Sequence, residues 1–192
     1  MRLNPEIPWE RYALIAELAK RFEAHGRALG KTALQKMIFL FQRLFGVDCD
    51  YTYTLYTYGP YCADLARDLE IVAGLGGAQI TYNWGYGRFE IRPGPAGDEL
   101  RRRGAGFLAQ IAGALDRLIA DYGLSTAKEL ELRSTIVYLG RPTRTIEELV
   151  RLVHQVKPYF SENQIEAACR ELAEKRYLAP AVAAARSLTA AN

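Results

Sequence analysis

The sequence contains no apolar run of about 20 residues, which is the length that a membrane-spanning helix requires. Its first residues, Met1 to Pro5, include an arginine and an asparagine and lack the apolar core of a secretory signal peptide. These two absences predict a cytoplasmic protein that has no membrane partner.

Residues for metal and disulfide chemistry are also scarce. The two histidines, His25 and His154, have neither a second histidine nor a cysteine at metal-ligand spacing. The three cysteines, Cys49, Cys62 and Cys169, are odd in number and far apart, so they predict no disulfide framework and no metal site.

Two further candidates for chemistry have simpler explanations. Cys62 lies near a predicted helix start, where the pKa of a thiol can fall, but its helical spacing to Leu65 and Leu69 favours a buried thiol. The glycines between Gly74 and Gly77 lead from a helix to a strand, the reverse of a dinucleotide-binding loop. The sequence therefore predicts no cofactor and no catalytic residue, and we expect a protein that is not an enzyme. An enzyme, which would need a pocket of convergent polar groups, is the alternative that the sequence leaves open.

Charge is mild, with a formal net value of +3 over 192 residues. Such a chain forms one domain or two small ones and can bury a substantial core. The net charge permits contact with nucleic acid without requiring it, because clusters of positive charge matter more than the sum.

What the sequence does have is an aromatic segment from Tyr51 to Tyr58, rich in the residue types that fit a strand. After it, the apolar residues recur at helical spacing as far as Val72. Gly59-Pro60 lies between the strand-like segment and the segment with helical spacing, and proline suits the first position of a helix. This pattern predicts a strand that leads directly into a helix.

The five tyrosines from Tyr51 to Tyr61 allow two interpretations. Tyrosine packs a large ring while its hydroxyl reaches a polar partner, and this explanation suffices for most of them. Tyrosine is also enriched at protein-binding hot spots and can stack on bases. Tyr58 and Tyr61, which flank Gly59-Pro60, are the pair that we assign to recognition.

The rest of the first half reads as helices followed by a hairpin. Apolar periodicity predicts helices over Trp9–Phe22 and Lys31–Phe45, the second closed by Gly46. Two strand-like runs, Ala78–Tyr82 and Arg88–Arg92, are joined by a glycine-rich tip. This order predicts a mainly α (α+β) fold in which residues 1–96 form a winged-helix-like domain.

The second half is predicted to be a helical region over residues 97–192. One long helix is expected over 98–122, with glycines that weaken it. Three capping signatures then predict helices near 126–139, 145–156 and 161–176, the last two forming a tight pair. An alanine-rich tail from Ala179 to Asn192 is expected to be loosely held.

The joint pattern K-x-x-L-Q-K, followed by an aromatic strand and Y-G-P-Y, resembles two related bacterial groups. One is the YwgA-like family of uncharacterised proteins, which it resembles over most of the chain; the other is the Panacea domain of SocA-like antitoxins, matched in the first half. The matching residues are Lys31, Leu34, Gln35, Lys36, Tyr58, Gly59, Pro60, Tyr61 and Leu65. The family often has serine where this chain has Cys62.

The resemblance implies a binding protein whose partner is a toxin-like or regulatory protein. Its partner-binding residues would be Gln35, Lys36, Tyr56, Tyr58, Gly59, Pro60 and Tyr61. The alternative is a DNA-binding regulator of the winged helix-turn-helix type. In that case Lys31, Lys36, Arg67 and Arg88 would contact phosphates. The sequence leaves a homodimer open as a further arrangement.

Overall fold

The computed structural model describes residues 7–178, which are mainly helical with two small antiparallel β-hairpins. In chain order the elements are α1 (Trp9–Ala24), α2 (Lys31–Phe45), β1 (Thr54–Tyr56), β2 (Gly59–Tyr61), α3 (Ala63–Gly74), β3 (Ala78–Asn83), β4 (Arg88–Pro93), α4 (Gly97–Arg103), α5 (Ala105–Tyr122), α6 (Ala127–Leu139), α7 (Ile146–Val156) and α8 (Glu162–Glu174). The mainly helical class predicted from the sequence is confirmed. The tail predicted to be loosely held, residues 179–192, lies outside the described residues.

The chain divides into two compact units. The described part of the first unit is 7–52 and 62–124, and that of the second is 53–61 and 125–178. This division differs from the predicted 1–96 and 97–192. Helices α4 and α5 pack against α1 and α2 within the first unit, whereas the β1–β2 hairpin packs against α6 within the second.

The first unit is built on the two helices that apolar periodicity predicts. The apolar face of α1 is buried, and Ile15 and Leu18 at its centre are fully so, as is Phe39 in the middle of α2. Helix α2 ends at Gly46, which has a φ of 66°, the left-handed conformation that glycine adopts without strain. Among residues 7–178, no helix is both long enough and apolar enough to span a bilayer.

The single helix predicted over 98–122 is wrong, because the structure breaks it at Gly104 into α4 and α5. A Cβ atom at Gly104 would lie 2.4 Å from the Cβ atom of Ala13 in α1. Real Cβ atoms do not approach so closely, so the break lies where the backbone passes against α1. Glycine serves here for close approach rather than as a weak helix former.

The predicted β3–β4 hairpin is confirmed, with register running from Ala78 opposite Pro93 to Asn83 opposite Arg88. Main-chain bonds also join Ile91 to Leu29, the residue that precedes α2 by two positions. The β4 strand is thereby tied to the start of α2. The side chains of Leu29 and Ile91 are fully buried.

The second unit carries the three predicted helix starts. At Thr126, Thr145 and Ser161 the hydroxyl accepts from the amide three residues on, and the side chain at that later position accepts in return from the cap amide. All three capping boxes are confirmed, and α7 and α8 pack together as predicted.

Candidate interaction site

Residues Thr54–Tyr61 form an antiparallel hairpin, which we call the tyrosine hairpin. Leu55 lies opposite Pro60 and Tyr56 opposite Gly59, with Thr57 and Tyr58 at the turn. The predicted strand Tyr51–Tyr58 is therefore wrong, since the extended part is three residues long and folds back on itself. A two-residue turn followed by a positive φ, here 88° at Gly59, is typical of a hairpin loop closed by glycine.

The hairpin holds tyrosine rings in solvent. The exposed fraction is 66% for Tyr56, 67% for Tyr58 and 37% for Tyr61. The rings of Tyr56 and Tyr61 lie side by side, with centroids 5.7 Å apart. Three of the predicted partner-binding residues are thus accessible on one short element.

Gly59 and Pro60 are buried, so they shape the hairpin and offer little surface to a partner. Proline has no amide hydrogen, and in a hairpin it fits a strand position whose amide makes no ladder bond. The prediction that Pro60 opens the following helix is wrong. Cys62 is the N-cap of α3, and its Sγ accepts from the amide of Leu65 at 3.5 Å.

Gln35 and Lys36 are buried, with exposed fractions of 6% and 2%. Their predicted role as surface residues that read a partner is therefore wrong. The side-chain amide of Gln35 donates to the carbonyl oxygen of Cys62 and accepts from its amide, both at 2.9 Å. Gln35 fixes the position at which the chain enters α3. The thiol of Cys62 is buried, as predicted.

Tyr51 has the packing role that we expect for most of the tyrosines. Its hydroxyl donates to the carboxylate of Asp68 at 2.8 Å, and the guanidinium of Arg11 lies 4.4 Å from the centre of its ring. Burial, and then the bond to Asp68, raise the pKa of this phenol far above its usual value. Arg11 also pairs with Asp68, so the carboxylate is satisfied within the first unit.

Beneath the tyrosine hairpin lies a polar cluster that the sequence did not reveal, formed by the buried Glu131 and Lys157 and by Tyr159, which is 51% exposed. The ammonium of Lys157 lies 2.7 Å from the Glu131 carboxylate, and the two side chains are 3% and 8% exposed. The hydroxyl of Tyr159 donates to the same carboxylate oxygen. Burial, and then this hydrogen bond, raise the pKa of Tyr159.

Lys157 connects this cluster to the hairpin. Its ammonium donates to the carbonyl oxygen of Thr57 and lies 3.5 Å from that of Tyr56. The one available signal was Glu131 itself, a charged residue between the buried Leu130 and Leu132 of α6. Its partner lies 26 residues away.

A groove of about 490 Å³ lies along α6 and α8 in the second unit. Its charged side chains are largely paired, Arg133 with Glu171 at 3.0 Å and Glu129 with the cap at Thr126. Paired charges offer little to a ligand, so we take the tyrosine hairpin as the stronger candidate site.

The residues of the nucleic-acid alternative belong to the first unit. Lys31 pairs with Glu70 at 2.7 Å, and Arg67 pairs with Asp64 at 3.0 Å. Lys36 is buried and cannot reach a phosphate. The exposed face of α3 thus carries two carboxylates and one guanidinium.

The tip of the β3–β4 hairpin is also aromatic. Trp84 is 86% exposed and Tyr86 is 73% exposed. The guanidinium of Arg88 lies 5.1 Å from the centre of the Tyr86 ring and 3.7 Å from the carboxylate of Glu90. Arg88 therefore stands at the surface of this tip, already facing a carboxylate.

Within the described residues, no group of three metal-ligating side chains lies together. Comparison with models of protein families, with curated proteins and with solved structures finds no match. The resemblance to the YwgA-like and Panacea groups therefore stays a prediction from the motifs.

Proposed function

We propose that this chain is a non-enzymatic binding or regulatory protein, antitoxin-like and cytoplasmic, that acts by contact with a partner protein. The tyrosine hairpin is the surface that makes this contact. The observation that carries the proposal is the exposure of Tyr56, Tyr58 and Tyr61 on an element whose turn is held from beneath by Lys157.

Tyrosine is suited to this role because it offers a large ring at a small entropic cost, together with a hydroxyl that accepts and donates. Rings that lie in solvent lose part of the stabilisation that their burial would give. A partner that covers Tyr56 and Tyr58 recovers it. Because Lys157 already holds the turn, little conformational entropy is lost from the turn when a partner binds.

The first unit supports a winged-helix-like assignment. Its order is α1, a main-chain pairing at Leu29, α2, α3 and the β3–β4 hairpin. In such domains α3 would be the helix presented to DNA. Here its exposed charges are Asp64, Arg67 and Glu70, and carboxylates repel phosphates. These charges favour the protein-binding proposal over the DNA-binding alternative.

The experiment compares variants that remove equally exposed tyrosines from the two hairpins. Tyr58→Ala in the tyrosine hairpin is matched by Tyr86→Ala in the β3–β4 hairpin, because the two residues are 67% and 73% exposed. Tagged parent and variant proteins are used to capture partners from the native cell. A captured protein is then purified and its affinity for each form is measured.

We expect Tyr58→Ala to weaken binding by about 10-fold or more, as loss of a hot-spot ring does. We expect Tyr86→Ala to bind like the parent. The free energy of unfolding of both variants should lie within about 0.5 kcal/mol of that of the parent, because exposed residues contribute little to stability. Equal binding by the parent and Tyr58→Ala would refute the proposed surface.

The DNA alternative is tested with the same proteins. Binding to duplex DNA that rests on phosphate contacts weakens steeply as salt is raised. A steep salt dependence that Arg88→Ala reduces would favour the alternative, and an affinity that does not vary with salt would remove it.

A further inference from the structure

Lys157 is the C-cap of α7, yet its ammonium is buried beneath the turn of another element. It donates to the carbonyl oxygen of Thr57 and lies 3.5 Å from that of Tyr56. We propose that Lys157 is a positioning residue, which fixes the turn of the tyrosine hairpin and so the place where Tyr58 is presented.

The hairpin needs such support because it is very short. Its strands, Thr54–Tyr56 and Gly59–Tyr61, are three residues each. A two-stranded hairpin alone is only marginally stable in water, even when its strands are longer. Packing of β2 against α6 supports one strand, and Lys157 supports the turn.

The hydrogen bonds of Lys157 suit this role. An ammonium has three N–H donors, and three oxygens surround this one: those of Glu131, Thr57 and Tyr56. The carboxylate of Glu131 balances the charge, and Tyr159 donates to the same carboxylate. The buried ammonium of Lys157 therefore has an oxygen partner for each of its three donors while it binds the turn.

Stability of the fold alone does not explain this arrangement. A buried ion pair costs so much desolvation that an apolar pair of similar volume is often equally stable or more so. An apolar pair would leave the carbonyl oxygens of Thr57 and Tyr56 without the donor they have here. The ion pair differs from an apolar substitute chiefly in that it holds the turn.

The inference rests on the proposed function in one respect, namely that the turn presents Tyr58 to a partner protein. That Lys157 holds the turn in place is tested on the protein alone. The test variant is Glu131→Gln/Lys157→Met, which leaves no unpaired charge buried. Its matched control is Arg133→Met/Glu171→Gln. The guanidinium of Arg133 bonds to the carboxylate of Glu171 and lies 3.3 Å from the carbonyl oxygen of Glu129, so this pair joins α6 to α8 within the same unit.

The measurement is amide hydrogen exchange over residues 54–61, with the β3–β4 hairpin as an internal reference. We expect the test variant to exchange about 10-fold faster in 54–61, because the turn loses the donor that binds its carbonyl oxygens and opens more often. The control variant should leave this segment unchanged. Equal exchange in the test variant and the control would overturn the proposal.

Glu131→Gln alone is the second variant, for use if the double variant does not fold. It keeps an oxygen acceptor and removes the countercharge of Lys157, and we expect a smaller rise in exchange confined to 54–61. No rise there would overturn the proposal.

Affinity for a captured partner is then measured separately. Faster exchange with unchanged affinity would support the positioning role and refute the docking surface. If exchange is unchanged in Glu131→Gln/Lys157→Met while Tyr58→Ala loses affinity, the positioning role is refuted and the docking surface is supported.

Discussion

Gln35 pairs with the main chain of Cys62 through both polar atoms of its side-chain amide, each at 2.9 Å. The pairing joins α2 to the residue that caps α3, across 27 positions of the sequence. Both groups are buried, so water cannot replace either bond.

Gln35→Ala should therefore destabilise the first unit. Two buried main-chain groups lose their partners, and we expect the free energy of unfolding to fall by about 2–4 kcal/mol. The measurement is urea denaturation followed by circular dichroism. Gln79→Ala, at an exposed strand position, is the control and should change stability by less than about 0.5 kcal/mol. An equal effect of the two variants would show that the pairing contributes nothing.

Two glycines near the middle of the chain should respond in opposite directions to alanine. A Cβ atom at Gly104 would meet that of Ala13 at 2.4 Å, whereas one at Gly113 meets nothing within 4 Å. We expect Gly104→Ala to destabilise by about 1–3 kcal/mol, since overpacking forces the helices apart. Gly113→Ala lies in exposed helix and should stabilise by about 0.5–1 kcal/mol. Thermal unfolding of both variants measures whether each change in stability is positive or negative. A stabilising effect of Gly104→Ala would contradict the close approach of Gly104 to Ala13.

The capping box at Thr145 gives a third prediction. Its hydroxyl accepts from the amide of Glu148 at 3.2 Å, so Thr145→Ala removes this acceptor and should cost about 1 kcal/mol. Thr143→Ala, two residues earlier and exposed, is the control and should be nearly neutral. Chemical denaturation compares them, and equal midpoints would indicate that the cap is not formed in solution.

Alkaline pH should destabilise the fold through its buried thiols. Burial raises the pKa of Cys49 and of Cys169 to about 12, from the value of 9.0 that an exposed thiol has. Above pH 9 the unfolded chain loses these protons while the folded chain keeps them. The stabilisation is therefore complete below pH 9 and is lost as the pH rises towards 12.

Each such thiol lowers the free energy of unfolding by about 1.4 kcal/mol per pH unit in that window. We expect the free energy of unfolding, measured by urea denaturation between pH 8 and 10.5, to fall less steeply with pH for Cys169→Ala than for the parent. A loss of packing in the variant lowers the free energy of unfolding equally at every pH, so it does not affect the slope with pH that is compared. A slope as steep as that of the parent would contradict a retained proton.

The sequence predicted the elements that local signals specify. Helix α2 was predicted with its observed ends, because a wide apolar stripe is followed by Gly46 in the left-handed conformation. The three capping boxes were found for the same reason, since their donor and acceptor lie three residues apart. Of the site, Tyr58 and Tyr61 were identified as accessible rings beside Gly59-Pro60, and both are exposed.

What the tertiary structure decided are the contacts between residues far apart along the chain. The break at Gly104 lies against Ala13, the burial of Gln35 accompanies its pairing with Cys62, and the turn at Thr57 accepts a hydrogen bond from Lys157. Local periodicity carries no information about these partners, because each is chosen by packing and by the need to satisfy buried polar groups. The sequence thus determined which segments are helical and which rings stand at the hairpin, and only the folded chain determined what holds them in place.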